Sequence, residues 1–144
     1  MIELTDEMRA RLASALNDGF PVVAASVEPD GYPKLSFYGS TQVFSEDQLA
    51  IWHRKPEGGL IDRLPDNSRM AFMYRHGSDR TFFQFYGRGR VDDSPETREQ
   101  VYANMPEIEK MLDPDKKGRA IIIDVDRVVG RGIEMRRDEA AQRS

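Results

Sequence analysis

The chain has 144 residues, a formal net charge of −4 at pH 7 and no cysteine. This length fits one domain, because about 70% of the surface of such an unfolded chain can be buried. This charge balance disfavours nucleic acids and anionic membranes as partners, because binding to their phosphates needs a basic surface. Without cysteine there is no disulfide, thiolate nucleophile or Cys-ligated metal, which is compatible with the reducing cytoplasm. The N-terminus is charged and lacks the apolar core of a signal peptide, so we expect one cytoplasmic domain over residues 1–144.

The first segment has the pattern of a helix. Its apolar residues recur at helical spacing, at Met8, Leu12, Ala15 and Leu16. Thr5 or Asp6 can cap the start, and the pair Asp18-Gly19 can end the helix. The sequence therefore predicts a leading helix of about three turns.

The period then changes to that of strands. Three strand-like runs follow, at residues 20–27, 34–44 and 48–53. Between the first two, Pro29 and Gly31 provide the fixed φ and the positive φ that a tight turn uses. The three runs predict an antiparallel meander.

The second half predicts further strands with short helices between them. A cationic loop at 54–59 leads into a short helix at 60–64, and strands are predicted at 69–74 and 81–91. Gly87 and Gly89 suggest a bulge or strong coiling in the second of these strands. Helices at 94–104 and 106–112 are followed by strands at 120–125 and 128–135, with a kink near Asp126-Arg127, and residues 137–144 are expected to be a frayed tail.

This order of elements favours a mainly β fold. Parallel sheets need a crossover helix between most strands, and here the intervening helices are few and short. Six or seven antiparallel strands with a few short flanking helices predict a closed or nearly closed antiparallel barrel, which removes exposed sheet edges.

Four short motifs in a fixed order resemble a known family. They are Asp-Gly-Tyr-Pro at 30–33, Trp-His-Arg-Lys at 52–55, Asn-Ser-Arg-Met-Ala-Phe at 67–72 and Gly-Arg-Gly-Arg-Val-Asp-Asp at 87–93. Over residues 5–135 this set is similar to the pyridoxamine 5′-phosphate oxidase-like, FMN-binding split-barrel proteins. The resemblance implies that the barrel is a split β-barrel with six or seven antiparallel strands. It also implies a homodimer in which two subunits build each flavin site.

The same resemblance implies that the cationic loop holds the cofactor phosphate. Arg54 and Lys55 would supply charged donors, while Gly58 and Gly59 would let backbone N–H groups approach, helped by the dipole of the short helix that follows. The alternative is a solvated basic turn. A lysine that family members often carry in this loop is replaced here, near Gly58 or Gly59, by glycine.

Further candidate residues surround the flavin ring in this interpretation. Ser36 and Tyr38 share one face of the second strand, which runs beside the ring in the family. His53 and Trp52 precede the cationic loop, and Gln84 lies close to the position of a family glutamine. The alternatives are an ordinary amphipathic strand, a structural histidine and a core tryptophan. The two histidines are far apart in sequence, so no metal site is predicted.

The predicted function is a flavin-dependent oxidoreductase that transfers hydride to or from a small-molecule redox substrate. FMN is the expected cofactor, with a deazaflavin or heme as alternatives that related proteins use. The substrate-binding C-terminal segment of the true oxidases is missing, which argues against pyridoxine metabolism. A non-catalytic carrier of flavin, deazaflavin or heme, or a barrel with a dead site, is the alternative function. There is no Gly-x-Ser-x-Gly elbow and no nucleotide-binding glycine motif.

Overall fold

The computed structural model describes residues 1–138, which form four helices and eight strands. The helices are α1 (Asp6–Ser14), α2 (Leu60–Arg63), α3 (Pro95–Asn104) and α4 (Glu107–Leu112). The strands are β1 (Val23–Val27), β2 (Pro33–Phe37), β3 (Gln42–Ser45), β4 (Gln48–His53), β5 (Arg69–Arg75), β6 (Phe82–Asp92), β7 (Arg119–Gly130) and β8 (Ile133–Arg136). Within the described range, no helix combines the length and apolar character that crossing a bilayer requires.

The strands form one antiparallel sheet in the order β2-β1-β5-β6-β7-β4-β3, and β8 pairs with the second half of β7. The two edge strands, β2 and β3, do not pair with each other, so the barrel is not closed. The predicted split β-barrel with flanking helices is therefore confirmed. The described residues contain eight strands where the sequence predicted six or seven.

Two apolar clusters lie on opposite faces of the sheet. The larger fills the barrel and includes Met8 and Leu12 of α1, so α1 covers one opening. The smaller lies under α3 and includes Val101, Trp52 and Ile122. Because both faces of β4 and β7 are covered, their central residues are buried without alternation, a pattern that antiparallel strands show only when packed on both sides.

The predicted strand at 34–44 and the predicted meander are wrong. The chain leaves β2 after Phe37, crosses through residues 38–41, and re-enters the sheet as β3 at its other edge. Thr41 makes this turn with its backbone N–H and its hydroxyl, which both donate to the Tyr38 carbonyl. Ser40 then joins the crossing segment to β4, because its hydroxyl donates to the Trp52 carbonyl and accepts from the Trp52 N–H. Side-chain hydrogen bonds thus replace strand pairing here.

The end of the chain also differs from the prediction. Residues 119–130 form one strand, and the turn at Gly132 separates it from β8, so the predicted strand at 128–135 is wrong. The predicted bulge lies in this region: the register shifts between Tyr86 and Gly87, and Asp126 of β7 is the extra residue. Gly87 is required, because a Cβ there would lie 2.3 Å from the Asp124 carbonyl oxygen.

The predicted tail begins too early. Its first residue, Arg137, is bonded to the barrel: the guanidinium donates to the Val125 carbonyl at 2.8 Å and to the Asp47 carboxylate at 3.1 Å. These bonds fix Arg137 against β7 and against the turn between β3 and β4. The rest of the predicted tail, residues 139–144, lies outside the described residues.

Candidate functional site

A cavity of about 710 Å³ opens where the end of β4 meets β2, the crossing segment and α4. This volume lies in the range of small-molecule and cofactor sites. Eight of the nine candidate residues line it: Ser36, Tyr38, Trp52, His53, Arg54, Lys55, Gly58 and Gly59. The ninth, Gln84, lies outside it.

The cationic loop, residues 54–59, forms one wall of the cavity and ends in two glycines with positive φ. Gly58 has a φ of +82° and Gly59 a φ of +54°, which side chains with a Cβ rarely adopt. No heavy atom lies within 4 Å of a Cβ built on Gly58, so the glycine serves the backbone turn and leaves the rim open. The Gly58 N–H donates to the Asp62 carboxylate at 3.3 Å. The following helix, α2, has only four residues, so its dipole contributes little.

The cavity lining is cationic on balance. Four cations line it, namely Lys34, Arg54, Lys55 and Arg63, against the two carboxylates of Glu57 and Glu109. The Arg63 Nη2 donates to the Ser26 hydroxyl at 3.0 Å, while its buried Nε has no partner among residues 1–138. A buried guanidinium N–H without an acceptor costs free energy.

His53 fixes the start of the cationic loop. Its Nδ1 lies 2.7 Å from the Lys55 carbonyl oxygen, so Nδ1 carries the proton and donates. Burial lowers the pKa of His53 below its usual 6.5, and the cations Arg63, Lys55 and Arg54 lower it further. In the neutral ring Nε2 is then an acceptor. His53 is therefore suited to positioning the loop and unsuited, in this form, to donating to a phosphate.

The lowered pKa of His53 predicts a pH-dependent stability. The unfolded chain takes up a proton near pH 6.5 more readily than the folded chain does, so the free energy of unfolding should fall as the pH drops below 6.5. His53→Asn keeps a donor for the Lys55 carbonyl and cannot titrate. Urea unfolding of the ligand-free protein at pH 7.5 and 5.5 should show a smaller difference for this variant. An equal difference in both proteins would show that His53 is not the titrating group.

Trp52 is mainly a structural residue. Its indole N–H donates to the Asp113 carboxylate at 2.9 Å, and its ring packs edge-on against Tyr102 with the Arg98 guanidinium 5.2 Å from the ring centroid. The residue is 3% exposed, so little of it reaches the cavity. The alternative interpretation of a core tryptophan is the one that its contacts favour.

Ser36 and Tyr38 both line the cavity from the β2 side, and β2 ends between them at Phe37. Burial raises the pKa of the Tyr38 hydroxyl, with Arg63 and Ser36 acting in the opposite direction. The phenol is therefore a neutral group that can donate or accept a hydrogen bond at neutral pH. The two hydroxyls give this wall polar character without charge.

Gln84 lies on the outer face of the sheet. Phe83 and Phe85 on either side of it point into the barrel core, so Gln84 and Tyr86 point outward. There the Tyr86 hydroxyl donates to the side-chain Oε1 of Gln84 at 3.3 Å. In the register, Gln84 stands in one row with Met73, Val23 and Phe37. Gln84 therefore does not contact the cavity of its own chain.

Two further arginines that could have reached a ligand form ion pairs instead. Arg88 makes two hydrogen bonds to the Asp126 carboxylate, at 3.0 and 2.9 Å, and Arg90 pairs with Asp124. Each of these two arginines is thus paired with a carboxylate of β7.

Several cavity residues escaped the sequence analysis. They are Lys34, Phe37, Gly39, Ser40, Glu57, Leu60, Arg63, Glu109 and Leu112. Arg63 is the cation at the end of the short helix that follows the cationic loop, and this position is the local signal that could have identified it. Within the described chain, no group of three or more His, Asp or Glu residues could hold a metal ion.

Solved structures with little sequence similarity share this architecture. HupZ of Group A Streptococcus is 14% identical with a TM-score of 0.69, over 94% of this chain and 99% of that one. An FMN-binding protein of Syntrophomonas wolfei is 10% identical with a TM-score of 0.65, over 86% of each chain. A Clostridium acetobutylicum protein related to general stress protein 26, of the pyridoxinephosphate oxidase family, is 9% identical with a TM-score of 0.61, over 92% and 97%.

No protein-family model and no curated protein sequence matches the chain. The similarity is therefore one of three-dimensional structure, and it extends over nearly the whole of each structure compared. The strand order, the short helices and the cavity beside β4 are built on that shared framework. The chain has the split β-barrel fold of the pyridoxamine 5′-phosphate oxidase-like proteins, as the sequence resemblance implied.

Proposed function

We propose that this chain binds a phosphorylated flavin, FMN or a deazaflavin, and uses it to exchange hydride with a small molecule. The observation that carries the proposal is the cationic cavity at the end of β4, with its open glycine rim. A phosphate monoester carries a charge of about −1.5 to −2 at pH 7, which suits a lining with more cations than carboxylates. The described residues therefore fit such a group.

The residues divide into a phosphate end and a ring end. Arg54, Lys55 and Arg63 would hold the phosphate by charge-assisted hydrogen bonds, and His53 would keep their loop in place. Ser36 and Tyr38 would offer hydrogen bonds to the polar edge of the ring. When bound, the flavin itself supplies the hydride chemistry, so the chain's residues bind, orient and limit the access of water.

The function is tested first by the visible spectrum of the protein purified from its own host and by titration with FMN, a deazaflavin and hemin. We expect a flavin-type spectrum and saturable FMN binding. Reduction of the bound flavin by NADH or NADPH would support an oxidoreductase. Tight binding without any electron transfer would favour a carrier, and preferential binding of hemin would contradict the flavin proposal.

We also propose that two copies of the chain form a homodimer through the outer face of the β2-β1-β5-β6 half of the sheet. Leu35 and Phe37 are 68% and 70% exposed there, and Met73 of β5 is 41% exposed. The register aligns these side chains with Val23 and Ala25 in two adjoining apolar rows. Exposed apolar patches of this kind commonly mark protein interfaces. Phe37 also lines the cavity, so such an interface would adjoin the ligand site.

A charge in this face should separate the two copies. Leu35→Glu is expected to convert a dimer into a monomer in analytical ultracentrifugation, because burying an unpaired carboxylate is strongly unfavourable. Gln100→Glu on α3 introduces the same charge at an exposed position outside the sheet and should leave the dimer intact. A wild-type protein that sediments as a monomer at micromolar concentration would contradict the proposed interface.

A further inference from the structure

Glu109 of α4 is a nearly buried carboxylate that faces the cationic cavity and has no side-chain hydrogen-bond partner among residues 1–138. The residue is 8% exposed and lines the cavity. Its one charged neighbour within residues 1–138 is Arg54, whose Nε lies 3.9 Å from Oε2, beyond hydrogen-bond distance. By contrast, Glu107 on the same helix is exposed and pairs with Lys110 at 3.0 Å.

The absence of a side chain at Gly39 leaves space for this carboxylate. A Cβ built on Gly39 would lie 2.4 Å from the Glu109 Oε1 and 2.9 Å from a Leu16 methyl group. Gly39 does not have a positive φ, so the backbone conformation alone does not call for glycine there. The close approach of Glu109 and Leu16 explains why position 39 is a glycine, and the Glu109 carboxylate occupies the space that a Cβ would need.

A nearly buried carboxylate is stabilised by a donor, and the cavity is the side from which a donor can reach Glu109. Arg54, its neighbour, belongs to the phosphate end of the site proposed above. A donor that reaches Glu109 should therefore lie next to the phosphate, away from the ring. In a flavin phosphate, the groups at that position are the hydroxyls of the polyol chain.

We propose that Glu109 accepts a hydrogen bond from a hydroxyl of the chain that links the ligand's phosphate to its ring, and so selects a polyol phosphate. This inference rests on the proposed flavin function and adds a specificity-determining residue to it. A hydrogen bond to a charged acceptor contributes enough free energy to change affinity by about tenfold or more.

The test compares FMN with a hydroxyl-free analogue in which a phosphopentyl chain replaces the ribityl phosphate. Both ligands carry the same ring and the same phosphate, so removing the Glu109 charge affects their phosphates equally. In the wild-type protein FMN should bind more tightly than the analogue. The dissociation constant of the analogue divided by that of FMN measures this preference, and in Glu109→Ala this ratio should fall by about tenfold.

Further variants keep the test independent of folding defects. Glu109→Gln preserves the shape of the side chain and keeps a neutral acceptor, so the ratio should fall by less than in Glu109→Ala. Gly39→Ala should also lower the ratio, because the added Cβ displaces the Glu109 carboxylate. Glu107→Ala on the same helix should leave it unchanged.

An unchanged ratio in both Glu109 variants would overturn the inference while FMN binding by the wild-type protein left the proposed function in place. A wild-type protein that binds neither ligand would overturn both.

Discussion

Replacing Arg54 and Lys55 together by alanine is expected to lower the affinity for FMN roughly hundredfold, as measured by fluorescence titration. Charged hydrogen bonds contribute about 1.5–3 kcal/mol each, and the exposure of both side chains places the combined loss near the lower end, at about 3 kcal/mol. Arg63 and Lys34 remain in the cavity, so binding should weaken without being abolished. The loss should be larger at low ionic strength.

The matched control removes two cations elsewhere. Lys117 and Arg131 are exposed residues outside the cavity, so the variant Lys117→Ala with Arg131→Ala has the same net charge as the loop variant. It should bind FMN like the wild-type protein. If the two double variants lose the same affinity, the binding is a general charge effect and the cationic loop has no special role.

Asp113→Ala is expected to lower the free energy of unfolding by about 3–5 kcal/mol in urea titration. The buried carboxylate accepts from the Trp52 indole at 2.9 Å, from the Gly118 N–H at 2.8 Å and from the Lys117 N–H at 3.0 Å. Alanine would leave these three donors without their acceptor. Since domains of this size have about 5–15 kcal/mol of stability in all, such a loss is large.

A graded series separates the hydrogen bonds from the loss of side-chain volume. Burial would raise the pKa of Asp113, but the bonds from Trp52, Lys117 and Gly118 outweigh burial and lower it, so the carboxylate is ionised at neutral pH. Asp113→Asn can accept with one oxygen only and should cost about 1–2 kcal/mol. Asp115→Asn, at an exposed position of the same loop, should cost less than about 0.5 kcal/mol. Equal effects of Asp113→Asn and Asp115→Asn would contradict this account.

The contiguous part of the site could be predicted from the sequence because one short segment carries it. Residues 52–59 run from the end of β4 into a loop, and cations followed by glycines at a strand end have a direct physical meaning. Ser36 and Tyr38 could be predicted from the alternation of side chains along a strand. Gln84 could not be excluded in this way, because no sequence signal shows that β6 contributes no residue to the cavity lining.

The remainder depends on tertiary contacts between distant segments. Glu109 reaches the cavity only because α4 packs beside the crossing segment, 70 residues earlier in the chain, where Gly39 leaves room for it. The break between β2 and β3 was also missed, since strand-like residues on both sides of Gly39-Ser40 made residues 34–44 resemble one strand. The hydrogen bonds of Ser40 to Trp52 that divide this run are long-range and carry no local pattern.

The central claim is that the cationic loop recognises a phosphate, and comparing FMN with riboflavin tests it most directly. The two ligands share the ring and the polyol chain and differ only in the phosphate. The account predicts that the wild-type protein binds FMN at least about a hundredfold more tightly than riboflavin, with the difference shrinking as salt is added. Equal affinity for the two ligands, or binding of neither, would contradict it.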